Sequence, residues 1–233
     1  MVELLNIDCL LYMATCKDKQ FDLAIVDPPY GINAPNMQMG SAPNRKDGSG
    51  YPSVSTTTKL KSFHRRGKLK DRALNRMNTQ WDLTPPGEEY FKELKRISKD
   101  QIIWGGNYFP LPPTRGIICW DKLQPWDNFS QFEIAWTSFN CPAAMFKYSN
   151  TGGANAEKKI HPTQKPVALY KWILSKYGKP GYKIFDSHLG SGSSAIAAHD
   201  FGCDFVGTEI DLEYYTAAVK RFENHKLQQT IKF

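Results

Sequence analysis

Seven short apolar runs punctuate the chain, at 3–7, 23–26, 101–105, 116–120, 132–137, 183–186 and 204–208. Most are hydrophobic at nearly every position, the pattern of strands covered on both faces. Stretches with helical spacing lie between several of them. The segment 10–17 is short. Within 88–98, Tyr90, Phe91, Leu94 and Ile97 fall on one stripe. The segment 166–177 opens on Pro166, which suits a first helical position, and 193–201 and 212–225 follow. Strands alternating with helices predict an α/β fold with a largely parallel sheet. No helical pattern separates 116–120 from 132–137, so these two are expected to pair antiparallel at one edge.

Residues 32–80 break this alternation. They are rich in Gly, Ser, Thr, Pro and Asn, and only a weak helical stretch at 69–77 stands out. A second irregular segment, within 141–160, contains Gly152-Gly153 and reads as a short variable loop. Long irregular segments inside a domain are usually functional or disordered. Charge favours the first reading for 32–80. The segment holds ten basic residues against two acids, Asp47 and Asp71, a net +8 in a chain whose total is +7. It begins directly after a group of residues with chemical potential, described below. An internal basic block in that place is expected to be the electrostatic footprint of a polyanion. Arg45, Lys46, Lys59, Lys61, Arg65, Arg66, Lys68 and Lys70 are the candidate nucleic-acid contacts.

Composition adds limits. At 233 residues the chain is one large domain or two small ones, with ample material for a core. Hydrophobic residues make up 41%, as in ordinary globular proteins, and no apolar run approaches a membrane span. The opening Met1-Val2-Glu3 does not begin a signal peptide. The five cysteines are scattered and odd in number, so reduced thiols of a cytoplasmic protein are expected, with neither disulfide nor metal site.

The run at 23–26 ends in Asp27-Pro28-Pro29-Tyr30. Two prolines fix φ and remove two backbone donors, leaving nearby carbonyls free to accept. The acid adds a further acceptor and the tyrosine a flat face. Such a group suits a planar ligand bearing an exocyclic amine, such as a nucleobase. It is equally a strand ending in a Pro-Pro turn with a core aromatic, and the tetrapeptide alone leaves both readings open.

A strand, a Gly-rich turn and a helix start follow in 184–194. Asp186 stands at the strand's end, Gly190-Ser191-Gly192 in the turn, and Ser193 or Ser194 is positioned to cap the helix. The next strand ends in Glu209, where an acid can accept from ribose hydroxyls. Ala195 stands where the third glycine of a dinucleotide fingerprint would fall, and no Gly-Lys-Ser/Thr ending is present, so ATP and GTP are disfavoured. An acid in such a turn suits a nucleoside with a cationic tail, of which S-adenosylmethionine is one. A third cluster, His161-Pro162-Thr163-Gln164-Lys165-Pro166, precedes a helix. Thr163 and Lys165 could hold a carboxylate there, or serve as cap and surface charge.

Taken in order, these three motifs resemble the beta-class DNA amino-methyltransferases of the Asp-Pro-Pro-Tyr, N6-adenine type. The resemblance covers nearly all of the chain outside 32–80. It implies a Rossmann-like, seven-stranded, mostly parallel sheet with S-adenosylmethionine as methyl donor. It assigns Asp27, Pro28, Pro29 and Tyr30 to catalysis. Phe185, Asp186, Gly190, Ser191 and Gly192 fall to the cofactor loop, Glu209 to the ribose, and Thr163 and Lys165 to the methionine end. Asn6-Ile7-Asp8-Cys9 resembles a further family segment that would bring Asp8 to the cofactor adenine, with Ile7 in place of a glycine. The chain also departs from the family at Asp186-Ser187-His188, where Asp-Pro-Phe is usual. His188 is then either a polar neighbour of the cofactor or a buried histidine.

The expectation is methylation of N6 of adenine in double-stranded DNA, with the base flipped out. Methylation of cytosine N4 is the nearest alternative, since it offers a similar amine. Structured RNA as substrate, and a non-catalytic nucleic-acid-binding protein on a decayed enzyme fold, are others. No membrane partner is expected, and a homodimer is compatible with the sequence.

Overall fold

The apolar runs become strands of one sheet with helices on both faces. The computed structural model describes residues 1–34, 81–124, 130–149 and 159–229. Its strands are β1 (Val2–Asn6), β2 (Phe21–Val26), β3 (Ser98–Trp104), β4 (Ile117–Asp121), β5 (Phe132–Thr137), β6 (Ala144–Lys147), β7 (Lys183–Asp186) and β8 (Asp204–Glu209). Their order is β1-β8-β7-β2-β3-β5-β4-β6. The β1–β8, β8–β7, β7–β2 and β2–β3 pairs are parallel. The β3–β5 and β5–β4 pairs are antiparallel, and β4–β6 is parallel. Among the described strands β5 therefore opposes the other seven.

Strand β2 shows why its run is apolar throughout. Leu23 and Ile25 join a core on one side of the sheet with Leu169, Ile173 and Ala197. Ala24 and Val26 join a core on the other side with Met13, Leu94 and Ile97. The first layer comes from α3 (Val167–Tyr177), α4 (Ser193–Phe201) and α5 (Leu212–Gln229), the second from α1 (Cys9–Thr15) and α2 (Glu88–Ile97). With apolar neighbours on both faces, alternation is lost. No helix among the described residues is long and apolar enough to cross a membrane.

Three expectations are corrected. The sheet has an eighth strand, β6, inside the segment 141–160 read as a loop. Its four residues alternate between half-buried and exposed, too short a pattern to register as a strand. Its Phe146 ring packs 5.2 Å from Trp172 of α3 and Met145 points outward. The antiparallel pair is present, but β6 takes the edge and β5 lies inside the sheet. The third correction concerns caps. Gly192, at φ +72°, is the N-cap of α4, so Ser193 and Ser194 lie within the helix. Pro166 is likewise the N-cap of α3, one residue ahead of the position expected. The 69–77 stretch and Gly152-Gly153 lie outside the described residues.

Direction within the sheet decides what meets at its edge. The carboxyl ends of β2, β3, β4, β7 and β8 share one rim. Because β5 runs the other way, its first residues, Phe132 and Glu133, reach that same rim, with Glu133 opposite Trp120 of β4.

Candidate functional site

Asp27 follows the last residue of β2 at this rim. Its Oδ1 accepts from the Tyr30 hydroxyl at 2.6 Å, and its Oδ2 accepts from the Lys165 ammonium. The Tyr30 ring stacks on Tyr108 with centroids 4.9 Å apart and meets Phe109 edge-on. Asp82, 1% exposed, fixes the backbone of this turn. Its Oδ1 accepts from the amides of Tyr30 (2.6 Å) and Gly31 (3.0 Å), and its Oδ2 from that of Ala34 (2.8 Å). One carboxylate thus holds the loop that presents Asp27 and Tyr30.

The Lys165 ammonium also pairs with Glu133 Oε2 at 3.1 Å, and Glu133 Oε1 pairs with Lys122 at 2.6 Å. The charges alternate along Asp27, Lys165, Glu133 and Lys122. Burial pushes the Asp27 carboxyl above its ordinary value, with Lys165 pulling the other way. Burial also opposes the Glu133 charge, yet Lys165 and Lys122 beside it hold its carboxyl down at about 2. For Lys165, burial is outweighed by Asp27 and Glu133, so its ammonium is reinforced.

On the opposite wall, β7 runs into the turn that ends at α4. Gly190 and Gly192 take positive φ of 50° and 72°, conformations that cost a side-chain-bearing residue strain. The Gly190 amide donates to Glu209 Oε2 at 2.9 Å, and the Asp211 amide to Oε1 at 3.0 Å. The Leu189 and Gly192 amides donate to the carbonyls of Thr208 and Leu189. Asp186 lies beneath the turn, where Ser194 donates to its Oδ2 at 2.6 Å and the His188 amide to its Oδ1. Burial pushes this carboxyl up to about 7. Burial holds His188 neutral, down at about 4, with Nδ1 on the Ser187 hydroxyl. His161 is pushed down to about 3, chiefly by burial, and packs 4.4 Å from Tyr214 and 5.1 Å from Trp81.

One cavity of about 950 Å³ joins the two walls. Asp27, Tyr30, Lys165, Gly190 and Glu209 all face it. Its size lies near the top of the range for ligand pockets.

A family model described as DNA methylase matches residues 103–220, just over half of the chain. The chain belongs to that family. Over most of its length the methylase is similar to the type II methyltransferase M2.DpnII of Streptococcus pneumoniae. The two are 24% identical over 250 residues, covering 94% of this chain and 89% of the relative. Among solved structures it is similar to the M1.HpyAVI–SAM complex, at 20% identity and a TM-score of 0.55 over 95% of this chain and 100% of that one. It is also similar to the cytosine-N4-specific PvuII DNA methyltransferase, at 14% identity and a TM-score of 0.58 over 95% and 86%. At these identities the solved structures establish a shared fold.

The methylase brings many of the sequence-derived candidates to the cavity and leaves others elsewhere. Pro28, Pro29, Thr163 and Ser191 line it as well. Phe185 is a core side chain, 0% exposed, packed against Phe21 and Tyr12. Asp186 and Gly192 shape the turn from behind the wall. Asp8 is the N-cap of α1, its Oδ1 accepting from the amides of Leu10 and Leu11. Lys165, assigned to the cofactor's methionine end, has its ammonium on Asp27. His188 is half-buried, its ring meeting Tyr90 edge-on, and it lines the cavity. Arg45, Lys46, Lys59, Lys61, Arg65, Arg66, Lys68 and Lys70 lie outside the described residues.

Sequence reasoning missed Asp82, Glu133 and Lys122. Glu133 left one trace, an acid inside an otherwise apolar strand. Asp82 left none, because its partners lie about fifty positions away in the chain.

Proposed function

We propose that this methylase transfers a methyl group from S-adenosylmethionine to N6 of an adenine flipped out of duplex DNA. One observation carries the reading: an acid–Pro–Pro–Tyr turn and an acid-lined, Gly-rich turn face a single cavity from opposite walls.

The donor set of the Gly-rich turn fits this cofactor. The amides of Leu189, Gly190 and Gly192 already have internal acceptors, so these three are not offered to a phosphate. What faces the cavity is the Glu209 carboxylate, suited to ribose hydroxyls. Glu209 would hold the ribose, Gly190 and Ser191 would let the ligand approach the backbone, and Tyr214 and His161 would exclude water. When bound, S-adenosylmethionine supplies an activated methyl group on a sulfonium.

The chain's own residues then have to hold the amine. The N6 lone pair is delocalised into the purine ring, which makes the nitrogen a poor nucleophile. Asp27 and the Pro28 carbonyl accept its two N–H groups and steer it toward tetrahedral geometry. Positioning supplies much of the acceleration. Acceptors fixed in advance stabilise the positive charge that develops on nitrogen. Tyr30 supplies an aromatic face for the extruded base. Segment 32–80 is the DNA-contacting insertion of a single methyltransferase domain, so binding weakens steeply with salt.

A second reading, N4 of cytosine, is favoured by the likeness to the cytosine-N4-specific PvuII enzyme. The acid that leads the tetrapeptide supports adenine. Expression in a host lacking DNA methylation, followed by modified-base sequencing, decides between them. Wild type is expected to leave N6-methyladenine in a defined sequence context, and Asp27→Ala to leave none while still binding the cofactor. N4-methylcytosine, or methylation surviving in Asp27→Ala, refutes the proposal.

A further inference from the structure

The Lys165 ammonium occupies an unexpected place for a residue assigned to the cofactor. It is 4% exposed, on the cavity wall, bonded to the acid at the centre of the proposed chemistry. Resting on the function proposed above, we infer that Lys165 reads the ring nitrogen beside the target amine, so that Asp27 and Lys165 together select bases carrying an amine next to an unprotonated ring nitrogen.

Donor counting leads to this role. An ammonium has three N–H donors and no acceptor. One goes to Asp27 Oδ2, while Glu133 Oε2, 3.1 Å away, is an ion-pair partner outside hydrogen-bond geometry. The remaining donors have only the Tyr30 hydroxyl, 3.4 Å away, beyond ordinary hydrogen-bond length. That hydroxyl gives its own proton to Asp27. Among the described residues, then, Lys165 keeps a weakly used donor beside an acceptor that the target amine must reach. The side chain is held in place as well, with Nζ 5.1 Å from the Trp104 ring centroid and 5.8 Å from that of Tyr30.

An acceptor and a donor side by side are complementary to an amidine edge, in which an amine donates and the neighbouring ring nitrogen accepts. Adenine offers this edge through N6 and N1, and cytosine through N4 and N3. On its Watson–Crick edge guanine sets the protonated N1 beside its amine, which would face the ammonium donor to donor; its unprotonated N3 flanks that amine only on the sugar edge. Thymine has no amine. Flipped bases are commonly read along this edge. Lys165 is itself no methyl acceptor, because Asp27 and Glu133 hold it as an ammonium without a lone pair.

The test compares duplexes with adenine or 1-deazaadenine at the methylated position, using wild type, Lys165→Met and Lys165→Arg. The analogue keeps the amine and puts C–H in place of the ring nitrogen. If the modified base is cytosine, 3-deazacytosine serves in the same way. Wild-type kcat/KM should fall about 10- to 100-fold on the analogue, the scale of one hydrogen bond to a charged group. Lys165→Met should lose about as much on adenine and show no further loss on the analogue. Lys165→Arg should keep the discrimination, and cofactor affinity should be unchanged throughout. Equal wild-type rates on the two bases overturn the inference even if Lys165→Met fails to fold, as does a Lys165→Met enzyme that still discriminates. A wild type that methylates no base overturns the proposed function, and this inference with it.

Discussion

Gly105 offers a sharp test of whether the Tyr30 ring position matters to the chemistry. It follows β3 at φ +70°, and a Cβ added there would lie 2.2 Å from Tyr30 Cε1, 2.6 Å from Cδ1 and 2.7 Å from Cζ. Restoring ordinary carbon–carbon contact of about 3.5 Å requires the ring to move by roughly 1.3 Å. The Tyr30 hydroxyl sits 2.6 Å from Asp27 Oδ1, so a shift of that size removes a hydrogen bond and tilts the face offered to the base. Misplacement by about 1 Å can cost on the order of 100-fold in rate. Gly105→Ala is therefore expected to lower kcat/KM for DNA methylation by about 30- to 300-fold. Left-handed strain at alanine adds about 1–2 kcal/mol of destabilisation.

Gly181 separates the two effects. Its φ is +82°, and a Cβ there meets nothing within 4 Å. Gly181→Ala should show the strain alone, a Tm lower by about 2–8 °C, with methylation intact well below that temperature. Initial rates of labelled methyl transfer, measured beside a cofactor titration, give the comparison. The reasoning about Tyr30 is wrong if Gly105→Ala stays within threefold of wild type, or if Gly181→Ala loses activity equally.

Two further outcomes follow. Asp82→Ala should strand the amides of Tyr30, Gly31 and Ala34, lowering Tm and depressing kcat while cofactor affinity, measured by titration, holds. Each unsatisfied buried group costs about 1–3 kcal/mol, and Asp82→Asn, which keeps one acceptor oxygen, should fall between. Asp186 makes stability depend on pH. Its folded value of about 7 lies above the ordinary aspartate value of 3.8, so the folded state binds the extra proton between them. Stability should fall as pH rises through this window, by up to about 1.4 kcal/mol per pH unit, as read from urea midpoints. Asp186→Asn should flatten that dependence, and an unchanged slope would contradict the assignment.

Much of the architecture was legible because burial on both faces of a parallel sheet leaves a local signature. The run at 23–26 is apolar throughout for that reason, and it marks a strand without any partner being known. Asp27 and Glu209 were legible for a related reason, since the end of such a strand is where side chains leave the core. β6 was not, because four residues half-buried on one face carry too little pattern. The capping role of Asp8 was not legible, because an acid that caps a helix and an acid that meets a ligand look alike in sequence. Glu133 reaches the rim only because β5 is reversed, a fact of topology that no local pattern contains. Lys165 is the subtler case. Its motif was seen, but which wall its ammonium faces depends on the Asp27 and Glu133 carboxylates converging from β2 and β5.

The alternating row of Asp27, Lys165, Glu133 and Lys122 is costly as a device for stability. Buried ion pairs are often matched or exceeded by apolar residues of similar volume, while removal of one member leaves an uncompensated charge. Its arrangement makes sense in relation to the proposed reaction. Two acids and two bases sum to no net charge, so a neutral base can enter without a strong uncompensated field. Glu133, held ionised by its two lysines, anchors Lys165 from behind and leaves that ammonium beside Asp27. Lys165 in turn opposes the effect of burial on Asp27 and favours the carboxylate form, the one able to accept from the amine. On the function proposed above, the dipoles that would meet the developing positive charge are in place before the base arrives, where a low-dielectric cavity makes them most effective. The reversed strand that brings Glu133 to the rim is thus the topological feature on which the electrostatics of the proposed amine pocket depend.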